Sequence, residues 1–167
     1  MKQSFGLVLS GVLFILLELG LFSRISMSPL GPLMIYPLFL FRLPAAMPKG
    51  WYLFTGFAVG LVLDLFLQTG GLHAAAASAF CFFRPAVFGL YFTTDDLEDM
   101  GRPGIPRMGL AKFLITFGVL VLMHQLFFHV YSMFRIDLLA ILALKWITGS
   151  LLSLVVMVLI HGLFVRR

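Results

Sequence analysis

The chain has 167 residues, of which 61% are hydrophobic and 11% are charged, and its mean hydropathy is +1.06. A soluble domain carries about 25% charged residues, so this composition excludes a water-soluble protein and predicts one membrane domain over residues 1–167. The net charge of +5 does not indicate a nucleic-acid partner, because the basic residues lie mostly between apolar runs. Basic residues in such positions determine the topology and contact the head groups of the lipid bilayer.

Six apolar segments predict an all-α integral membrane protein with six transmembrane helices, the second of them short or broken. The first segment, residues 5–22, is interpreted as an uncleaved helix, because it is longer than a signal-peptide core and no small-residue cleavage pattern follows it. Residues 23–31 are predicted to be a loop. The second segment, residues 32–43, is short for a span and contains Pro37, so it is predicted to pack against protein.

The third and fourth segments are residues 51–67 and residues 72 to about 92. Trp51, with a tyrosine beside it and a lysine two residues earlier, is predicted to mark the membrane–water interface. Arg84 and Pro85 fall late in the fourth segment, where the proline is predicted to kink or end the helix. The Arg84 guanidinium is predicted to snorkel to the nearer interface.

Residues 93–111 form the long hydrophilic stretch of the chain, with acidic residues first and then basic residues and prolines. They are predicted to be a solvent-exposed cytoplasmic loop, because the glycine and prolines disfavour a regular helix in the second half. The loop either contacts a partner at the membrane surface or is a solvated linker. Two further spans follow, residues 113–131 and 138–165, joined by a turn over residues 132–137.

The distribution of lysine and arginine predicts the orientation in the membrane. With six spans, nine of these residues fall on one side and two or three on the other, so both termini are predicted to be cytoplasmic. If the second segment does not cross, the chain has five spans, and the difference in lysine and arginine number between the two sides becomes smaller. The nine are Lys2, Arg42, Lys49, Arg84, Arg102, Arg107, Lys112, Arg166 and Arg167, and the others are Arg24 and Arg135, with Lys145 near that end of the last span.

Residues 56–85 carry the most distinctive pattern of the sequence. Gly56, Gly60 and Asp64 fall four residues apart, so in a helix they share one face. Two small residues at this spacing let another helix approach closely, and the alanine run of the next segment offers a second thin surface. The Asp64 carboxylate lies inside an apolar run and needs a partner, because an unpaired charge there costs several kcal/mol.

The charged and titratable side chains gather in the outer half of the predicted spans. The predicted buried polar cluster consists of Glu18, Asp64, His129 and Lys145. The simplest interpretation is that Glu18 or Asp64 pairs with Lys145 and ties helices together, because intramembrane charges usually face inward and find partners. Two alternatives are a small outward-facing binding cavity and pairing with the helix of a partner protein.

The sequence carries no pattern typical of catalysis or cofactor binding. It has no Gly-x-Ser-Gly motif with a histidine partner, no pair of membrane-level aspartates and no glycine-rich phosphate loop. His124 and His129 are five residues apart and project about 140° from each other on a helix, which disfavours a shared metal ion. We therefore expect a protein that is not an enzyme and has neither a cofactor nor a metal site.

Residues 56–85 resemble the rod shape-determining protein MreD family, whose members have an apolar helix with Gly-x-x-x-Gly-x-x-x-Asp, a glycine-containing turn and a small-residue helix. The resemblance implies that the matching residues form helix-packing or partner-contact surfaces. The matching residues are Gly56, Gly60, Asp64, Gly71, His73, Ala74, Ala75, Arg84 and Pro85.

The resemblance implies a non-enzymatic scaffold subunit of the bacterial cell-elongation machinery in the cytoplasmic membrane. Its implied partner is MreC, and through the complex also the RodA polymerase with its transpeptidase and, indirectly, MreB. The MreD family is related in fold to the six-helix substrate-binding membrane subunits of energy-coupling-factor transporters, so a small-molecule transporter subunit is the alternative. Those subunits dock through Ala-x-x-x-Ala on their first helix, and the absence of this pair from residues 5–22 disfavours that alternative.

Overall fold

A computed structural model describes residues 2–22, 31–132 and 139–165, and within these ranges the chain forms helices and no strand. Two of the helices are very short and lie outside the apolar runs. The helices are α1 (Lys2–Leu17), which continues as a π-helical turn (Glu18–Phe22), α2 (Tyr36–Phe41), α3 (Lys49–Leu67), α4 (Leu72–Gly89), α5 (Thr94–Met100), α6 (Ile105–Met108), α7 (Leu110–Ser132) and α8 (Leu139–Val165).

Part of the sequence-based topology argument falls outside the described residues. The predicted loop over residues 23–31 and the turn over residues 132–137 lie there almost entirely. The same holds for four basic residues of the charge count, which are Arg24, Arg135, Arg166 and Arg167.

Four helices, α3, α4, α7 and α8, are long and apolar enough to cross a membrane. The first helical stretch is also apolar but shorter, since its apolar part runs over Gly6–Phe22. The predicted class, an all-α membrane protein, is confirmed by these helices. Of the two predicted effects of Pro85, a kink or a helix end, the helix end is wrong, because α4 continues for another turn to Gly89. A proline removes one backbone hydrogen bond, and packing against neighbouring helices makes that loss tolerable.

The second apolar segment is a short helix preceded by residues without regular secondary structure. Residues 31–35 have no regular secondary structure, and α2 has six residues, a length of about 9 Å against the roughly 30 Å of a bilayer core. Every residue of α2 is buried. The prediction of a short helix packed against protein is therefore confirmed. At the centre of the bundle the ring of Phe41 packs on Phe88, Phe113 and Phe117, with centroids 4.7–5.4 Å apart.

Helices α3 and α4 form a tight antiparallel hairpin. A Cβ atom built on Gly60 would lie 2.5 Å from both the Ala74 Cα and the His73 carbonyl oxygen, and one built on Gly56 would collide with the Cys81 sulfur. The glycines therefore face α4 within the chain, and their missing side chains set the distance between the two backbones. We call the end of the bundle where α3 begins and α4 ends the Trp51 end, and the opposite end, with the α3–α4 turn, the turn end.

The hydrophilic stretch predicted as a loop contains two short helices, α5 and α6. Helix α5 begins with a capping box, in which two residues cap each other. The Thr93 N–H donates to the Asp96 carboxylate over 2.8 Å, and the Asp96 N–H donates to the Thr93 hydroxyl oxygen over 3.3 Å. The hydrogen bonds that Thr93 donates to the carboxylate lower the pKa of the Asp96 carboxyl. The stretch is anchored to the bundle, since Met100 and Met108 are buried and the Ala45 N–H donates to the Gly101 carbonyl over 2.7 Å. The loop prediction missed the cap because Thr-x-x-Asp carries its signal in only four residues.

Candidate functional site

The two intramembrane carboxylates each cap the first turn of a neighbouring helix. Glu18 Oε2 accepts from the backbone N–H groups of Ile35 and Tyr36 over 2.7 and 3.1 Å, at the start of α2. Asp64 accepts from the backbone N–H groups of His73 and Ala74 over 3.0 and 2.8 Å, in the first turn of α4. The first N–H groups of a helix have no partner within it and carry partial positive charge, so a carboxylate stabilises them.

The predicted ion pair between Lys145 and one of these acids is wrong for the described structure. Asp64 instead contacts His73, whose Nδ1 lies 3.0 Å from Oδ1, and accepts from the Thr69 hydroxyl over 2.5 Å. Among the described residues, this contact of Asp64 with the His73 imidazole lies within ion-pairing distance, and no such contact involves Lys145 or Glu18. The physical reason is local: backbone N–H groups reach both carboxylates directly, so neither acid needs a cation.

Two further backbone groups of the α2 segment are paired by side chains from other helices. The Met34 N–H donates to the Ser153 hydroxyl over 3.1 Å. At the other end of the segment, the Tyr52 hydroxyl donates to the Leu40 carbonyl over 2.5 Å. A short helix inside a membrane protein leaves many backbone groups unpaired, and such a segment persists only where neighbours pair them.

The Arg84 prediction also needs correction. This side chain does not extend to the surface of the protein; it is 3% exposed, and its Nη2 donates to the Phe41 and Leu43 carbonyls over 3.2 and 2.7 Å. The guanidinium also lies over the rings of Tyr52 and Phe88, 4.3 and 4.6 Å from their centroids. The last carbonyls of a helix carry partial negative charge, so Arg84 complements the end of α2 as Glu18 complements its start.

Helices α7 and α8 join the same network. His124 Nε2 and the Tyr36 hydroxyl lie 2.5 Å apart, and the Gln125 amide donates to the Ser153 hydroxyl over 3.2 Å. His129 is buried, and its Nδ1 lies 2.7 Å from the Gln125 carbonyl oxygen. Hydrogen bonds therefore form one polar network that connects α1, α2, α7 and α8 through Glu18, Tyr36, His124, Gln125 and Ser153. These polar residues lie within apolar stretches of the sequence.

Sequence reasoning missed several members of this network and of the Asp64 cap. Thr69 carried a usable signal, because it lies in the polar turn between Asp64 and His73. Tyr36 and Ser153 carried none, because a tyrosine or serine in an apolar helix is common and its partners come from distant parts of the chain.

Three other predicted site residues, Gly71, Trp51 and Lys145, lie in three different places. Gly71 lies in the α3–α4 turn with φ +97°, a conformation that favours glycine, and its carbonyl accepts from the half-buried Ala75 over 2.9 Å. Trp51 is 63% exposed in the first turn of α3, where an interfacial side chain belongs. Lys145 is half-buried on α8, and its backbone carbonyl lies against Gly31.

A cavity of about 370 Å³ lies beside the two carboxylate caps at the turn end. Glu18, Thr69 and His73 provide its polar lining, and Met34, Leu67 and Phe128 provide apolar lining. Within the described ranges, no three histidine, cysteine, aspartate or glutamate side chains group as metal ligands would. The geometry is that of a small space with one carboxylate, one hydroxyl and one imidazole.

The Glu18 cap yields a prediction about stability. Glu18→Ala leaves two buried backbone N–H groups without a partner, so we expect it to lower the free energy of unfolding by about 2 kcal/mol. Glu18→Gln keeps an acceptor oxygen at the same place and is the matched control, with a smaller loss expected. The midpoint of unfolding in mixed detergent and SDS measures both. Equal losses for the two variants would contradict the capping role.

Comparison of the sequence with protein-family models and with characterised proteins, and of the fold with solved structures, gave no match.

Proposed function

We propose that this chain is a non-enzymatic scaffold subunit of the bacterial cell-elongation machinery, of the MreD type, in the cytoplasmic membrane. The observation that supports the proposal best is the role of the MreD-like residues in the hairpin. Gly56 and Gly60 bring α3 and α4 together, and Asp64 fixes the first turn of α4 at His73 and Ala74. The motif thus holds α3 and α4 in a fixed arrangement, as expected for a scaffold.

The same geometry refines where partners bind. Gly56 and Gly60 are covered by α4, so the single span of MreC has to contact another face. Among the four long apolar helices, α8 buries the smallest share of its surface within the chain. Four of its exposed side chains lie on one stripe at helical spacing, and we propose this stripe as the MreC contact. They are Leu144, Leu151, Val155 and Leu159.

The proposed topology has six passes, with residues 31–43 as the broken second pass and both termini in the cytoplasm. Helices α5 and α6 lie at the Trp51 end, together with the exposed Arg107 and Lys112. An excess of basic residues marks the cytoplasmic side, so the Trp51 end is assigned to the cytoplasm. In this orientation α5 and α6 face the compartment that contains MreB.

Purification of the tagged chain from native membranes tests the proposal. We expect MreC to be recovered, together with the polymerase and its transpeptidase, by mass spectrometry of the detergent extract. A thiol-reactive photocrosslinker on Leu151→Cys, 56% exposed, is expected to capture MreC, and the fully buried Met157→Cys is the matched control that the reagent does not reach. Recovery of ATPase subunits and a coupling protein instead of MreC would overturn the scaffold assignment.

The cavity at the turn end favours a second candidate, a small-molecule-binding subunit of the energy-coupling-factor type. Its volume of about 370 Å³ falls within the range of sites for small ligands. The purification distinguishes the two candidates, because only the second predicts an associated ATPase. A bound small molecule in the purified protein, found by native mass spectrometry, would further support it.

A further inference from the structure

We infer that the Trp51 end of the bundle holds one phospholipid, with the lipid phosphate beside Arg84 and Lys49 and an acyl chain in the groove between α3 and α4. This inference is independent of the proposed scaffold function. It begins from a cavity of about 220 Å³ that opens among the start of α3, the end of α4 and α5. Its lining includes Arg84, Lys49, Tyr52, Phe88 and Glu98.

Arg84 supplies the main argument, because its charge is buried without an anion. Its side chain is 97% buried, the complement of its 3% exposure, and no acidic side chain of the described chain pairs with it. The Nη2 atom is used by two carbonyls, whereas the Nε atom is buried with no acceptor. A phosphate in the adjacent cavity, which Arg84 lines, supplies the missing countercharge, and guanidinium–phosphate hydrogen bonds are among the strong ones.

An apolar groove continues from this cavity along the outside of the hairpin. Its volume is about 490 Å³, and Lys49 and Pro85 line both spaces. The groove is otherwise apolar, lined by Leu53, Phe82 and Phe83 among others, and Phe82 is 65% exposed on the surface of a membrane-spanning helix. A charged cavity beside an interfacial tryptophan, joined to an apolar groove, matches a phosphate head with an attached acyl chain. A free phosphate has no apolar part that could occupy the groove.

Glu98 narrows the choice of head group. Its exposed carboxylate lines the same cavity as the two cations, so the site carries two positive charges and one negative charge. A phosphate with a nearby ammonium group matches all three charges. Phosphatidylethanolamine has this head, whereas phosphatidylglycerol leaves Glu98 without a countercharge.

Native mass spectrometry of the full chain in detergent tests the site, with phosphatidylethanolamine, phosphatidylglycerol and inorganic phosphate offered separately. We expect one phosphatidylethanolamine to be retained, and Lys49→Gln to weaken its retention about tenfold, as the loss of one charge-assisted contact predicts. Lys112→Gln is the matched control with the same charge change, because Lys112 lies over the Phe92 ring and outside the cavity. Glu98→Gln should abolish the preference over phosphatidylglycerol.

A second variant distinguishes a lipid from a soluble phosphate. Ala86 is exposed and lines the groove, so Ala86→Trp should fill it and displace the lipid while leaving any binding of inorganic phosphate intact. Binding of inorganic phosphate with no lipid retained would overturn the lipid assignment. Equal lipid retention by Lys49→Gln and Lys112→Gln, or an unchanged retention in Ala86→Trp, would overturn the site itself. A stronger retention of phosphatidylglycerol would overturn the head-group assignment.

Discussion

Gly60→Ala is expected to force α3 away from α4 and to lower the free energy of unfolding by about 3 kcal/mol, at the upper end of what overpacking costs. The added methyl group would lie 2.5 Å from the Ala74 Cα and from the His73 carbonyl oxygen. These are backbone atoms, so no side-chain rotation relieves the contact, and the hairpin has to open. The midpoint of SDS-induced unfolding and the amount of protein in membranes both measure the effect.

The same helix offers a matched control for this variant. Gly50 is also a glycine of α3, and a Cβ atom built on it meets no heavy atom within 4 Å. Gly50→Ala is therefore expected to change stability by less than about 1 kcal/mol, in the stabilising direction, since alanine favours helix. If both substitutions had the same effect, the close approach at Gly60 would not be what holds the hairpin together.

Asp64→Ala is expected to be equally damaging, with a loss of about 3 kcal/mol and a lower abundance in membranes. The substitution leaves the His73 and Ala74 backbone N–H groups without an acceptor at a buried helix start. It also removes one partner each from the Thr69 hydroxyl and the His73 imidazole, which then keep their contact with each other. Asp64→Asn retains one acceptor oxygen and should have an intermediate effect.

Asp99→Ala is the control for this second prediction, because Asp99 is exposed in α5 and its substitution should change stability by less than about 0.5 kcal/mol. A separate outcome concerns the partner. If Asp64→Ala kept normal abundance but failed to bind MreC, Asp64 would serve the complex rather than the fold. Normal abundance together with normal complex formation would contradict both roles.

The hairpin was the part of the fold most open to sequence reasoning. The spacing of Gly56, Gly60 and Asp64 predicted one narrow face, and the structure places the two glycines against α4 and the carboxylate on its first turn. The spacing did not indicate whether that face packs against a helix of this chain or against a helix of another protein. Only the position of α4 decides this, because a turn with Gly70 and Gly71 at positive φ folds it back onto α3.

The groups that pair with the buried charged side chains could not be identified from the sequence. It predicted that Glu18 and Asp64 lie inside apolar segments and need partners, and its simplest interpretation paired one of them with Lys145. The structure gives them backbone N–H groups instead, and gives Arg84 backbone carbonyls. Backbone groups are present at every residue, so a sequence cannot indicate which of them are left unpaired at a helix end.

Composition alone indicates that this protein lies in lipid, and its long apolar runs predict helices, because a helix pairs the backbone groups of about 20 residues within one segment. The position of α2, in contrast, depends on packing. A six-residue helix inside the bundle is stable because Glu18 at its start and Arg84 at its end arrive from two other helices. That convergence is a property of packing, since Glu18 and Arg84 precede and follow α2 at separations that no local pattern connects.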